Sequence, residues 1–222
     1  SGFGAMWPPA GSGYLASFNQ GMRARSFSPT RSIDCCSTES RKQRSTARAT
    51  AAQPSLDYFT LPGNERYYDF TWGPVHFFAL DSCLPEPDGV KADSLQAAWL
   101  QQGLAASTSP WNVVYTHYAP YSSGSHGSTS WMQWPFAAWG ADTVLAAHDH
   151  LYERLLVDGL PYFVNGLGGG PIYTFLLTDP NSQVRYNNDY GAMLVTASGT
   201  ELTFEFYSRV GNLIDQYKVS KP

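Results

Sequence analysis

Long apolar runs are missing from this sequence of 222 residues, which contains no stretch of 18 or more consecutive apolar residues. A helix that crosses a membrane needs about 20 such residues, so no membrane-spanning helix is predicted. The first residues also lack the basic segment followed by an apolar segment that marks a secretory signal peptide. A mature secreted chain and a fragment of a longer chain share that appearance.

Cysteine is scarce as well, with only Cys35, Cys36 and Cys83 in the whole chain. Three cysteines do not make a disulfide framework, and neither a CxxC pair nor another zinc-ligand spacing is present. The glycine-rich residues 166–170 match neither GxxxxGK[ST] nor GxGxxG, so a tight turn is favoured there over a phosphate cradle. Cysteine usage leaves the cellular compartment undecided.

Acidic residues are rare in residues 1–52, and large apolar residues are rare in residues 23–52. Seven of the 14 Lys and Arg lie between Arg23 and Arg48, and ten of residues 26–50 are Ser or Thr. Such a segment buries too little apolar surface to offset its ordering entropy, so residues 1–52 are predicted to be an irregular, basic, low-complexity arm. Aromatic residues that would stack on bases are absent from its basic core, so no nucleic-acid partner is expected. A domain boundary is placed near Gln53.

From residue 53 onward the pattern is that of a folded domain. Residues 66–72 and 75–80 predict two strands joined by a hairpin turn, and Asp93 with Gln96 predicts a capping box that begins a helix. Further strands are predicted over residues 111–116, 142–147, 161–165, 192–197, 201–207 and 213–219, and a short aromatic helix over residues 131–139. Strands and helices alternate in the centre while strands dominate the ends. The fold class predicted is an α/β (α+β) sandwich with a mixed sheet.

Histidines follow two of these predicted strands. His117 comes after residues 111–116, and His148 and His150 come after residues 142–147. Ligands collect beyond the carboxyl ends of parallel strands, and neutral imidazole is the commonest protein metal ligand. The pattern therefore predicts a metal site. Taken alone, His117 is explained equally well as a solvated histidine at a strand end, and the pair His148 and His150 is explained better in that way. His126 lies on a Gly/Ser-rich loop from the same edge, either as a proton donor or as a loop residue without function.

Two blocks of sequence resemble the C-terminal signatures of calcineurin-like metallophosphoesterases. They are residues 112–124 (NVVYTHYAPYSSG) and 148–154 (HDHLYER). Residues 61–70, 75–82, 164–169 and 190–199 strengthen the likeness, which is closest to bacterial relatives of the purple acid phosphatases. The resemblance extends over residues 53–222, the predicted C-terminal part of a metallophosphoesterase domain.

The resemblance implies a β-sandwich flanked by helices and two metal ions, Fe with Zn or Mn. His117 and His148 would bind one metal, His150 the other, and His126 would protonate the leaving group. The implied substrate is a phosphate monoester, and the implied location is secreted or periplasmic. No membrane partner is expected.

The sequence departs from this family in its N-terminal part, where three ligand blocks are missing. No Asp-x-His block, Gly-Asp block with its bridging aspartate, or Gly-Asn-His-Asp block is present. Three histidines without bridging carboxylates hold only part of a dinuclear centre. Two hypotheses follow: an incomplete metal-dependent phosphoesterase whose missing half a partner covers, or an inactive remnant that binds at most one metal or a partner. A third, weaker hypothesis is nucleic-acid binding through the basic arm. A separate hypothesis about the sequence itself is that residues 1–52 contain a misread, degenerate or out-of-frame segment.

Overall fold

The structure is a computed structural model that describes residues 13–15, 56 and 58–222, with only the backbone of residues 13–15. The arm predicted over residues 1–52 and the boundary near Gln53 therefore lie almost entirely outside the described residues. Strand β1 (Gly13–Leu15) is the exception, and it pairs with a strand near the other end of the chain.

Seven strands form the larger sheet within the described part of the chain. In spatial order they are β2 (Tyr68–Trp72), β3 (Val75–Ala79), β4 (Trp111–Tyr115), β5 (Thr143–Ala146), β7 (Leu160–Asn165), β6 (Tyr152–Val157) and β8 (Ser182–Tyr186). The four central strands β3, β4, β5 and β7 run parallel, whereas β2, β6 and β8 pair antiparallel. This confirms the predicted mixed sheet and the hairpin at Gly73.

The second sheet is antiparallel and contains, in order, β1, β9 (Gly191–Ala197), β10 (Glu201–Ser208) and β11 (Leu213–Ser220). Alternating residues of β9 and β10 face the larger sheet, as the alternation around Phe204 and Phe206 predicts. Phe204 packs on Phe163 with ring centroids 4.5 Å apart, and Phe206 stacks on Tyr152 at 4.0 Å. The two sheets thus enclose one apolar core.

Helices cover the other face of the seven-stranded sheet. Helix α1 (Leu95–Ala106) buries Ala97, Leu100 and Leu104 against Phe78 and neighbouring residues of the central strands. Adjacent residues on each central strand therefore enter different cores, because side chains alternate between the two faces of a sheet. The predicted sandwich flanked by helices is confirmed.

Two local predictions were wrong. The N-cap of α1 is Ser94 rather than Asp93, since the Ser94 side chain accepts the N–H of Ala97. Gln96 does not complete a capping box, because its side-chain amide binds the Asp81 backbone instead. The single helix expected over residues 131–139 is a 3₁₀ turn (Ser130–Met132) followed by a short helix α2 (Phe136–Trp139).

Candidate metal centre

The candidate site lies where β4 and β5 end. These strands are parallel neighbours, with Tyr115 opposite Leu145, and hydrogen bonds continue beyond them from Thr116 N–H to the Leu145 carbonyl. The last of these bonds joins the N–H of Ala147 to the carbonyl of His117 at 3.1 Å. Because parallel strands end at the same edge, His117 and the residue after Ala147 are brought together. The arrangement expected from the sequence is confirmed for these two strands.

His117 and His148 are in direct contact. Nε2 of His117 lies 3.0 Å from Nδ1 of His148. Two nitrogens that bind one metal at about 2.0–2.1 Å, with an angle of about 90–110° between the bonds, are about 2.9–3.4 Å apart. The observed spacing therefore fits a pair of ligands to a single metal ion.

His148 adopts a backbone conformation that few residues other than glycine accept. Its φ is +67°, in the left-handed region where histidine, asparagine and aspartate occur more often than other side chains. The chain reverses sharply here, since Asp149 N–H donates to the Ala147 carbonyl and Leu151 N–H donates to the Asp149 carbonyl. Strain of this kind costs about 1–3 kcal/mol and persists where the surrounding structure holds it.

His150 faces a different set of neighbours. Its Nδ1 is 2.8 Å from the carbonyl oxygen of Pro171, and its ring stacks on Tyr173 at 4.2 Å. A carbonyl can only accept, so Nδ1 carries the proton when the ring is neutral and Nε2 presents its lone pair. Metal-binding histidines are oriented in this way by their other ring nitrogen. His150 is thus prepared as a ligand through Nε2.

His126 reaches the site from the loop after Tyr121. It is exposed, and its ring lies 4.1 Å from that of His148 and 5.4 Å from that of Tyr173. The structure therefore places His126 next to the histidine pair. Its predicted role as proton donor stays a prediction.

The described residues can be compared with the ligand groups that hold metal ions in proteins. Among them, no group of three or more His, Cys, Asp or Glu side chains is arranged to hold one metal ion. The spacing of His117 and His148 fits a pair of ligands, and the Nδ1 of His150 is held by the Pro171 carbonyl. The assignment of His117, His148 and His150 as ligands of two metals stays a prediction.

Sequence reasoning missed two buried carboxylates beside the histidines. Asp149 accepts the hydroxyl of Ser122 at 2.6 Å and the N–H of His126 at 2.9 Å. Glu153 accepts both the N–H and the hydroxyl of Ser123, at 2.7 and 2.6 Å. Both carboxylates are almost completely buried. The available signal was the pair of serines at the start of the loop, but Asp149 and Glu153, to which they donate, lie 27 and 30 residues further along the chain.

The residues around Glu153 have structural roles that follow from strand alternation. Glu153 points to the loop of His126, whereas Tyr152 and Arg154 point to the second sheet, where both bind Asp215. Burial, together with the Asp215 carboxylate, raises the pKa of the Tyr152 hydroxyl, which keeps its proton and donates. The Tyr-Glu-Arg signature thus joins the site loop and both sheets.

The glycine-rich residues 166–170 follow β7 as an irregular segment that bends at residues 168–170, so the tight turn expected there stays a prediction. The N–H of Gly166 donates to the Leu151 carbonyl. A Cβ on Gly166 would collide with the backbone carbonyl of Asp149, which is why only glycine fits. His76, predicted to be structural, contacts Asp69 and Ser107 through its ring nitrogens.

Comparison with known proteins decides the family. The model of the calcineurin-like phosphoesterase family matches residues 33–152, which include His117, His126, His148 and His150. The chain belongs to the calcineurin-like phosphoesterase family. The match also begins within the predicted arm, 20 residues before the boundary placed at Gln53.

Relatives of this calcineurin-like phosphoesterase include two purple acid phosphatases. It is 25% identical over 175 residues to purple acid phosphatase 4 of Arabidopsis thaliana, covering 76% of this chain and 48% of that protein. It is 24% identical over 173 residues to purple acid phosphatase 3 of the same plant, covering 74% and 44%. The chain thus spans about half the length of the curated relatives it matches.

Solved structures share the fold. Purple acid phosphatase PPD1 from yellow lupin (Lupinus luteus) superposes with a TM-score of 0.68 at 20% identity, covering 77% of this chain and 36% of that chain. GAP50, described as the anchor in the inner membrane complex of Plasmodium, superposes with a TM-score of 0.53 at 16% identity, covering 70% and 53%. The sequence likeness to the two plant proteins relates this calcineurin-like phosphoesterase to the purple acid phosphatases.

Proposed function

We propose that this chain carries the histidine half of the active site of a metal-dependent phosphoesterase that hydrolyses phosphate monoesters. The observation that carries the proposal is the 3.0 Å approach of His117 to His148 with the ring of His126 beside them. The family match and the purple acid phosphatase relatives support the reaction class. The resemblance supports iron together with zinc or manganese as the metals.

Each histidine has a separate task in this proposal. His117 and His148 hold one metal ion, and His150 holds a second through Nε2. A metal ion bound there supplies positive charge for the phosphoryl oxygens and lowers the pKa of water. A ring nitrogen of His126 gives its proton to the leaving-group oxygen, a contribution typical of a positioned general acid.

The experiment is a phosphatase assay on the purified full chain, supplied with iron, zinc or manganese, with p-nitrophenyl phosphate as substrate. His148→Ala is expected to abolish the metal-dependent rate because it removes a ligand. His76→Ala is the matched control, since His76 binds Asp69 and Ser107 instead, and its rate should be retained. A wild-type chain without any metal-dependent rate would contradict the proposal.

A second candidate function is a non-catalytic chain that binds one metal ion or a partner. It is favoured by the finding that no three-ligand group is assembled within the described residues. GAP50, which shares the fold, is described as an anchor. One tightly bound metal per chain without phosphatase activity is the result that this alternative predicts.

Export from the cytosol is also proposed. Cys83 is buried and disulfide-bonded, and structural disulfides form mainly in oxidising compartments. Among the described residues, none of the helices has the length and apolar character needed to cross a membrane. Thiol alkylation of the protein in its source cells, followed by isolation and mass spectrometry, tests this proposal. An alkylated Cys83, which shows a free thiol, would contradict it.

A further inference from the structure

One buried carboxylate joins the metal-ligand segment to the loop that carries the proton donor. Asp149 stands between His148 and His150 in the sequence, yet its carboxylate lies inside the loop after Tyr121. Its side chain accepts the N–H of His126 at 2.9 Å and the hydroxyl of Ser122 at 2.6 Å. Only 1% of Asp149 is exposed.

The loop is closed tightly around this carboxylate. Ser122 Oγ, which donates to Asp149, also accepts the N–H of Gly124 at 3.0 Å. A Cβ at Gly124 would overlap the carboxylate of Asp149. The loop therefore encloses the carboxylate closely, with Gly124 against it and with the Ser122 hydroxyl and the His126 N–H donating to it.

We propose that Asp149 is a positioning residue that fixes His126 beside His148 for proton transfer to the leaving group. This inference rests on the proposed function. The bond from Asp149 ends on the backbone N–H of His126, whose ring lies 4.1 Å from that of His148. The hydrogen bonds of Asp149 thereby join the segment that carries His148 and His150 to the loop that carries His126.

Glu153 offers a matched comparison because it anchors the same loop without contacting His126. It is 0% exposed and binds Ser123 through two hydrogen bonds. Ser123 Oγ in turn accepts the N–H of Asp179. Glu153 thus holds the start of the loop at Ser123, which also binds Asp179, whereas Asp149 holds the part of the loop that carries His126.

The first test compares two phosphate esters hydrolysed by the full, metal-supplied chain. Proton donation matters most when the leaving group is strongly basic, so Asp149→Ala should lower kcat for glycerol phosphate about tenfold more than kcat for p-nitrophenyl phosphate. KM should change little for either ester. Glu153→Gln should reduce both rates by the same factor, and Asp149→Asn, which keeps an acceptor for the His126 N–H, should be intermediate. Equal losses on both esters in Asp149→Ala and Asp149→Asn would overturn the inference.

The second test is independent of activity. In NMR spectra of the metal-free chain, wild type and Glu153→Gln should show contacts between the rings of His126 and His148, and Asp149→Ala should lose them. The His126 amide should also exchange faster in Asp149→Ala. Asp149→Asn has nearly the same size as the native residue, so it is the variant to measure if Asp149→Ala does not fold. The His126 amide of Asp149→Asn should exchange at a rate between those of wild type and Asp149→Ala. Ring contacts and exchange unchanged in both Asp149 variants would refute the inference even if the chain proved inactive.

Discussion

Replacing Asp215 by alanine should destabilise the fold substantially, because this carboxylate joins the two sheets. It accepts two hydrogen bonds from Arg154, at 2.7 and 3.1 Å, and one from the Tyr152 hydroxyl at 2.8 Å. The Arg154 and Asp215 side chains are only 13% and 6% exposed. Asp215→Ala would leave a desolvated guanidinium without its counter-ion.

The magnitude follows from the burial of the pair. Removing one partner of a buried ion pair costs about 3–5 kcal/mol. Arg154 keeps its place over the Tyr217 ring, 4.6 Å from the centroid, which offsets part of the loss. A decrease of about 3 kcal/mol in the free energy of unfolding is therefore expected for Asp215→Ala.

Urea denaturation followed by circular dichroism measures this change. Glu201→Ala is the matched control, since Glu201 on the same sheet pairs with Lys218 with both side chains about half exposed, and such pairs contribute little. Asp215→Ala must therefore cost far more than Glu201→Ala. Equal changes in the two variants would refute the claim that the Arg154–Asp215 pair holds the sheets together.

Three further predictions concern residues near the ends of the central strands. His148→Gly should be about 1 kcal/mol more stable than His148→Ala, because glycine accepts the +67° φ without strain. Gly166→Ala should destabilise the chain by several kcal/mol, about 2–4, since its Cβ would meet the backbone carbonyl of Asp149. Burial, together with the neighbouring Glu86 carboxylate, raises the pKa of Asp81 to about 6, so this carboxyl binds its proton more tightly in the folded chain. The free energy of unfolding of the wild type should therefore fall as pH rises from about 4 to about 6. Asp81→Asn should not show this fall, so at pH 8 its free energy of unfolding should exceed that of the wild type by about 1–3 kcal/mol.

Urea unfolding curves of each variant check these values. For Asp81→Asn the decisive comparison is between pH 4 and pH 8, since the variant and wild type should differ only at the higher pH. An equal difference at both values would show that Asp81 does not titrate between them. Equal stability of His148→Gly and His148→Ala would show that the turn is unstrained, and a wild-type-like Gly166→Ala would show that the segment can move.

The positions of the histidines were predictable because they depend on simple rules. Apolar runs that end at His117 and at His148 predict parallel strands, and parallel strands bring their carboxyl ends to one edge. The layers were predictable for a similar reason, since alternating aromatic residues such as Phe204 and Phe206 mark one-sided strands. The predicted N-cap of α1 was one residue from the observed one, because Asp93 and Ser94 are both good N-cap residues.

The supporting residues could not be predicted from the sequence because their partners are distant. Asp149 looks like a spacer between two histidines until the fold places Ser122 and the N–H of His126 around it. The left-handed backbone conformation at His148 could not be predicted, because the usual sequence signal for it is a glycine and this position holds a histidine. Gly166 is required by the carbonyl of Asp149, a contact that depends on the order of β5, β6 and β7 in the sheet.

The central claim is that His117 and His148 share one metal ion. Metal content per chain, measured by elemental analysis after loading with iron, zinc or manganese and dialysis, tests it most directly. Wild type and His76→Ala should retain the metal, and His117→Ala and His148→Ala should each lose it. Retention of the same metal content in both of these variants, or its absence from the wild-type chain, would contradict the account.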